Sequence, residues 1–204
     1  MKKRIILLGG TFDPVHIGHI ELAENALRET GADEVHLLPS PFPPHKRGIA
    51  ASGQHRLEMC RLAARSFPGI AVNDAEFRIR SAYTADTLSY LHRQEPDTQW
   101  LLLLGEDAAL SLPYWKDSDL LLRLVPIVIS RRKGCPRGED LADAVALLRQ
   151  KGAAIQILTS APPEISASQI QQMSDRQRAA FVPEQVQAYM IKNGLYRKGR
   201  SSDG

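Results

Sequence analysis

The sequence predicts an α/β protein: a single doubly wound parallel sheet with helices on both faces and a short helical segment at the C-terminus. Two observations carry this. Short, doubly apolar runs alternate with helical patterns through most of the 204 residues, an order that specifies parallel strands joined by covering helices. The first run also stops at Gly9-Gly10, directly before a helical pattern, and sheets of this kind bind ligands at the carboxyl ends of their strands.

Taken in order, Ile5–Leu8 reads as a buried strand. After a Pro-containing turn, a helical pattern runs from about Ile17 to Arg28, with Ile20, Ala23 and Leu27 on one face. Glu34–Pro39 is the second strand, residues 40–50 a Pro-rich loop, and Gln54–Arg65 a helix with Leu57, Cys60, Leu62 and Ala64 as its apolar content. Ile70–Val72 is a short strand, Ala85–Arg93 a helix, and Trp100–Leu104 a central strand ending at Gly105. Leu124–Ile129 is another strand, and Pro126 within it implies an edge position or a displaced start. Leu141–Gln150 reads as a helix and Ile155–Leu158 as the last strand. Helical segments near Ser168–Met173 and Pro183–Asn193 close the chain, with Gly194 as a C-cap glycine.

Apolar residues at 43% and charged residues at 24% are ordinary globular values. They support one domain over residues 1–196, followed by a basic tail over 197–204 that is expected to be disordered. A net charge of +3 lacks the dense basic stripe of a polyanion binder, so nucleic acid is not an expected partner. A small phosphorylated substrate needs only a few placed cations. Cys60 and Cys135 lie far apart without metal-type spacing, as free thiols of a reducing compartment do. The Ile5–Leu8 run is too short for a signal-peptide core, and no apolar stretch nears membrane-spanning length. A cytoplasmic protein without a membrane partner is expected.

The sharpest signal is the run Gly9-Gly10-Thr11-Phe12-Asp13-Pro14-Val15-His16-Ile17-Gly18-His19, set between the first strand and the first helix. Glycines without a Cβ let backbone N–H groups approach a phosphate. His16 and His19 share one face of the first helical turn, where free N–H donors and the helix dipole form an anion site. Gly18 between them is expected to leave room for a flat base or a ribose. A metal held by the pair lacks a third ligand at suitable spacing.

This run resembles the signature of the nucleotidyltransferase superfamily that shares its His-x-Gly-His motif with class I aminoacyl-tRNA synthetases. Pro43-Pro44-His45-Lys46, Ser81-x-x-Thr84-x-x-Thr87-Leu88, Gly105-x-Asp107 and Pro113-Tyr114-Trp115 narrow the resemblance to bacterial nicotinate-nucleotide adenylyltransferases. So do Arg132-x-Gly134, Ile165-Ser166-Ala167-Ser168 and the ending Gly194-Leu195-Tyr196, in order along nearly the whole chain. Lys133 stands where the family has proline, Ser168 replaces the usual threonine, and Gln171 replaces an arginine, removing a cation from the expected triphosphate site.

The resemblance implies a Rossmann-like domain that joins ATP to nicotinate mononucleotide, giving deamido-NAD and pyrophosphate, with Mg²⁺ accompanying ATP. It implies His16, His19 and Lys46 as catalytic residues. Gly9, Gly10, Thr11, Phe12, Gly105, Arg132, Ser166 and Ser168 join the histidines on the ATP side. Lys46, Thr84, Ala85, Asp107, Tyr114 and Trp115 hold the mononucleotide. The residues themselves leave other roles open: Ser166 with Gln169 is a capping-box pattern, Asp107 suits a helix N-cap, and Trp115 suits core filling. An adenylyltransferase for another phosphate acceptor, such as phosphopantetheine, and a nucleotide-binding domain without catalysis are the competing functions.

Overall fold

The computed structural model describes residues 2–43, 48–131 and 138–197. Six strands, β1 (Arg4–Gly10), β2 (Glu34–Pro39), β3 (Ile70–Val72), β4 (Gln99–Gly105), β5 (Ile127–Ser130) and β6 (Ile155–Ile157), form one sheet. The order is β3-β2-β1-β4-β5-β6 and every pairing is parallel. The chain winds outward from β1 through β2 to β3, then returns to β4 beside β1 and winds the other way. The point of reversal, between β1 and β4, opens a crevice at the carboxyl ends of these two strands.

Alternating side chains of the central strands feed two cores. Ile6, Leu8, Val35, Leu37, Leu101, Leu103 and Val128 pack on one face, beneath α1 (Ile17–Thr30), α2 (Gly53–Ala64) and the closing helices. Ile5, Leu7, Trp100, Leu102, Leu104, Ile127 and Ile129 pack on the other, with α4 (Thr84–Gln94), α5 (Glu106–Ser111), α6 (Ser118–Leu124) and α7 (Gly138–Gln150). Burial on both faces explains why these strands read as unbroken apolar runs. The closing helices are α8 (Ala167–Gln172), α9 (Asp175–Arg178) and α10 (Glu184–Lys192). Gly194 lies just beyond α10 at φ 64°, the left-handed region a helix stop requires.

Several local expectations are corrected. Leu124 ends α6 rather than starting a strand, and β5 begins after Pro126. Of the two readings of that proline, the displaced start holds: β5 lies between β4 and β6, away from the edge. The short helices α3 (Ala75–Ile79), α5, α6 and α9, and a 3-10 turn at Leu112–Tyr114, add to the elements that the sequence pattern marks. Beyond α10, Arg197 donates from its guanidinium to the Ile191 carbonyl at 3.2 Å. Cys60 is fully buried, and burial pushes its thiol well above the ordinary range, leaving it inert. Cys135 lies outside the described residues.

Candidate active site

The crevice is walled by glycine. A Cβ built on Gly9 or on Gly105 meets no atom within 4 Å, so both strand ends present bare backbone to open space. Gly10 differs, because the Phe12 ring lies against it and a Cβ there would stand 2.9 Å from that ring. Phe12 itself takes φ 51° and is buried, so only its main chain remains for a ligand.

The turn then runs through Asp13, a cis peptide bond to Pro14, and Val15 to His16, the N-cap of α1. His16 is 5% exposed. Its N–H donates to Nδ1 of His19 at 3.3 Å, and the two imidazole rings lie 3.8 Å apart, tilted by 36°. The two histidines therefore form one unit at the positive end of a 14-residue helix. Phe12 meets the His19 ring edge-on at 4.8 Å. The expectation for Gly18 is corrected: a Cβ there would stand 3.0 Å from the His16 ring and 3.1 Å from Ile165. This glycine makes room for the catalytic candidate itself and for α8's approach.

Ile165 thus sets the segment Ser166–Ser168 beside the start of α1. Ser166 caps α8 as its spacing suggests: its hydroxyl accepts from the Gln169 N–H at 3.2 Å and donates to Gln169 Oε1 at 2.9 Å. Ser166 and Ser168 are both exposed, so the cap leaves them accessible. Gln171 is engaged by the turn after β1. Its amide nitrogen donates to the Asp13 carbonyl at 2.6 Å and to the Asp13 carboxylate at 3.1 Å.

Sequence reasoning missed Arg56, and no local signal marks it, since one arginine in a helical pattern reads as a solvated face. It is 1% exposed and donates to the carbonyls of Thr11 at 2.6 Å, Pro41 at 3.2 Å and Ala51 at 3.2 Å. Burial pulls its pKa down, while Asp13 pulls it up. Glu76, also missed, lies buried nearby. Burial pushes its pKa up to about 7, against the opposing pull of Ser40 and Arg56.

On the other side of the crevice, Gly105 is the N-cap of α5, and Asp107 sits exposed two positions beyond that cap. Thr84 and Ala85 open α4, with Ala85 buried. Thr87 is structural: its hydroxyl donates to the Tyr83 carbonyl at 3.3 Å. Trp115 is half-buried against the core, and its indole N–H donates to Ser111 Oγ at 3.0 Å. Tyr114 points to solvent at 90% exposure. The start of α4 and the turn before α6 meet where Lys116 lies 4.4 Å over the Tyr83 ring and 3.5 Å from the Asp86 carboxylate. Lys46 and Arg132, the remaining candidates, lie outside the described residues.

Among the described residues no group of three or more His, Cys, Asp or Glu could hold a metal ion. Nor is any helix among them long and apolar enough to cross a membrane.

A family model described as cytidylyltransferase-like matches residues 7–173. A probable nicotinate-nucleotide adenylyltransferase of Aeromonas salmonicida (strain A449) is 36% identical, over 97% of this chain and 99% of its own. One from Carboxydothermus hydrogenoformans is 34% identical, over 95% and 98%. The nicotinic acid mononucleotide adenylyltransferase of Plasmodium falciparum, solved in complex with NaAD, superposes with a TM-score of 0.76 at 18% identity, covering 95% of this chain and 97% of that one.

Proposed function

Since this chain belongs to the cytidylyltransferase-like family, and within it to the nicotinate-nucleotide adenylyltransferases, we propose that it transfers the adenylyl group of ATP to nicotinate mononucleotide in the cytoplasm. The products are deamido-NAD and pyrophosphate. One observation carries the reading at the level of the site: the paired histidines stand at the N-terminus of α1, beside two glycine-ended strands that leave the crevice open.

In the proposed reaction a 5′-phosphate oxygen of the mononucleotide attacks the α-phosphorus of ATP, and the bond to the bridging oxygen of pyrophosphate breaks. The nucleophile is already an anion, so no strong base is required. Rate acceleration comes from alignment and from stabilising charge on the α-phosphate and the leaving group. His16 and His19, at the positive end of the α1 dipole, take the phosphate oxygens; the Ile17 N–H is already given to the Phe181 carbonyl at 2.9 Å. Gly9 and Gly105 admit the nucleotide against the backbone, Gly10 leaves room for the Phe12 ring, and the exposed Ser166 and Ser168 supply hydroxyls at its edge. Lys46 and Arg132 add cations. Thr84, Ala85, Asp107 and Trp115 hold the mononucleotide, with the indole face against the pyridine ring. Mg²⁺ entering with ATP would supply charge that neutralises the leaving pyrophosphate.

The test is pyrophosphate release from ATP and Mg²⁺ with nicotinate mononucleotide or phosphopantetheine, with the product identified by mass. Formation of deamido-NAD is expected. Turnover with phosphopantetheine alone would move the acceptor assignment, and ATP binding without turnover would leave only a nucleotide-binding domain.

A further inference from the structure

Asp13 is the most heavily engaged carboxylate near the histidines, and its partners come from three separate stretches of chain. Its Oδ2 accepts from the Ala50 N–H at 2.8 Å and its Oδ1 from the Ala51 N–H at 3.1 Å. The Gln171 amide reaches it from α8, and the Tyr196 hydroxyl donates to Oδ1 at 2.6 Å from beyond α10. Asp13 is 4% exposed, so these bonds are made away from water, where a lost partner costs most. Burial, then the bond to Asp13, pushes the Tyr196 phenol far above its ordinary range, so the hydroxyl remains a donor.

The two distant partners are themselves fixed from behind. Arg178, 2% exposed, donates from its guanidinium to the main-chain carbonyls of Ile170 at 3.0 Å, Gln171 at 3.1 Å and Tyr196. It therefore sets the backbone of both residues that grip Asp13. Tyr196 holds φ 57°, a left-handed conformation unusual for a residue with a side chain, and its two anchors account for it.

We propose that Gln171 and Tyr196 are positioning residues, which hold the catalytic turn through Asp13 and so set His16 and His19 against the phosphates. The C-terminal segment is thereby part of the reaction apparatus without touching substrate. Position 171 serves the turn rather than the triphosphate, which accounts for a neutral amide where the family has a cation. This inference rests on the adenylyl-transfer reading.

Three variants test it: Gln171→Leu, Gln171→Arg and Tyr196→Phe, the last removing a single oxygen and so least disruptive to folding. Each is compared with wild type for kcat, for KM of ATP, for its urea midpoint and for the ¹⁵N resonances of the imidazole rings. Gln171→Leu and Tyr196→Phe are expected to lower kcat about ten-fold while KM for ATP stays within about two-fold. The His16 and His19 signals shift, whereas those of His36 and His92 stay in place. Gln171→Arg keeps an N–H donor for Asp13 and rescues most of the loss, with no tighter ATP binding. A folded Tyr196→Phe protein with unchanged kcat and unchanged imidazole signals would overturn the proposal, reducing the bond to a purely structural one. A raised KM for ATP at unchanged kcat in Gln171→Leu, or a lowered KM in Gln171→Arg, would also overturn it, because the side chain would then face the triphosphate. Absence of wild-type turnover would instead count against the adenylyl-transfer reading, and the imidazole signals would still report on the grip.

Discussion

On one side of the crevice, the turn after β1 is locked from below. Thr11, Asp13, His16 and Arg56 are all buried, and their bonds tie the turn to the loop before α2, to α8 and to the chain beyond α10. On the other side, the proposed acceptor segments lie open. Tyr83 and Tyr114 are 47% and 90% exposed, Asp107 faces solvent, and at the surface Lys116 rests on the Tyr83 ring and the Asp86 carboxylate. The difference suits the proposed chemistry. Groups that stabilise charge in the transition state gain from being fixed beforehand, while an acceptor that enters and leaves at every turnover needs an accessible wall.

The largest effect expected from this contrast is in stability. Glu76 lies beneath the locked turn with a pKa of about 7, raised from 4.5. The folded state thus favours its neutral form. The contribution is fully present below pH 4.5 and is lost as pH rises through 7, a change of about 3 kcal/mol. Urea unfolding at pH 5 and pH 8 should show wild type weakening, while Glu76→Gln holds level and exceeds wild type at pH 8. Identical pH dependence in the two proteins would remove the carboxyl from the locked region.

Next come the histidines. His16→Ala or His19→Ala removes a charge-assisted contact worth about 1.5–3 kcal/mol, so kcat should fall roughly ten- to a hundred-fold in a folded protein. Near-normal turnover would break the assignment of this side to the phosphates.

The glycines sharpen the contrast further. Gly105→Ala should fold as wild type does, since its Cβ meets no atom within 4 Å, but should lose about ten-fold in kcat/KM because bound substrate is displaced from the backbone. Gly10→Ala should do the reverse first, losing about 1–3 kcal/mol of stability as the Phe12 ring is pushed aside. Steady-state kinetics alongside thermal melts distinguish the two; equal melts with equal activity would mean the crevice is not where the nucleotide lies. The smallest effect is expected at Trp115→Ala. Loss of a stacking face worth about 1 kcal/mol should weaken acceptor binding several-fold and leave KM for ATP unchanged.

Much of this frame was legible in the chain, for identifiable reasons. Strands buried on both faces announce themselves as short apolar runs, and Gly9-Gly10 with His16 and His19 are close neighbours in sequence. The boundary at residues 118–130 was not legible, because α6 and β5 are both rich in Leu, Ile and Val and only Val125 and Pro126 separate them. Nor was the grip on Asp13, whose partner Tyr196 lies 183 positions away. Gly18 shows a different limit. The need for a missing Cβ was readable, but its neighbour proved to be the protein's own imidazole rather than a ligand.

The direct test of the central claim is the acceptor preference, measured as kcat/KM for nicotinate mononucleotide and for its amide at saturating ATP and Mg²⁺. The proposed acceptor wall offers main-chain N–H donors at the start of α4 and near Trp115. A carboxylate can only accept, whereas an amide would turn its own NH₂ toward those donors. A preference for the acid on the order of a hundred-fold or more is expected. Equal values, or a preference for the amide, would contradict the nicotinate assignment while leaving the adenylyl transfer itself in place.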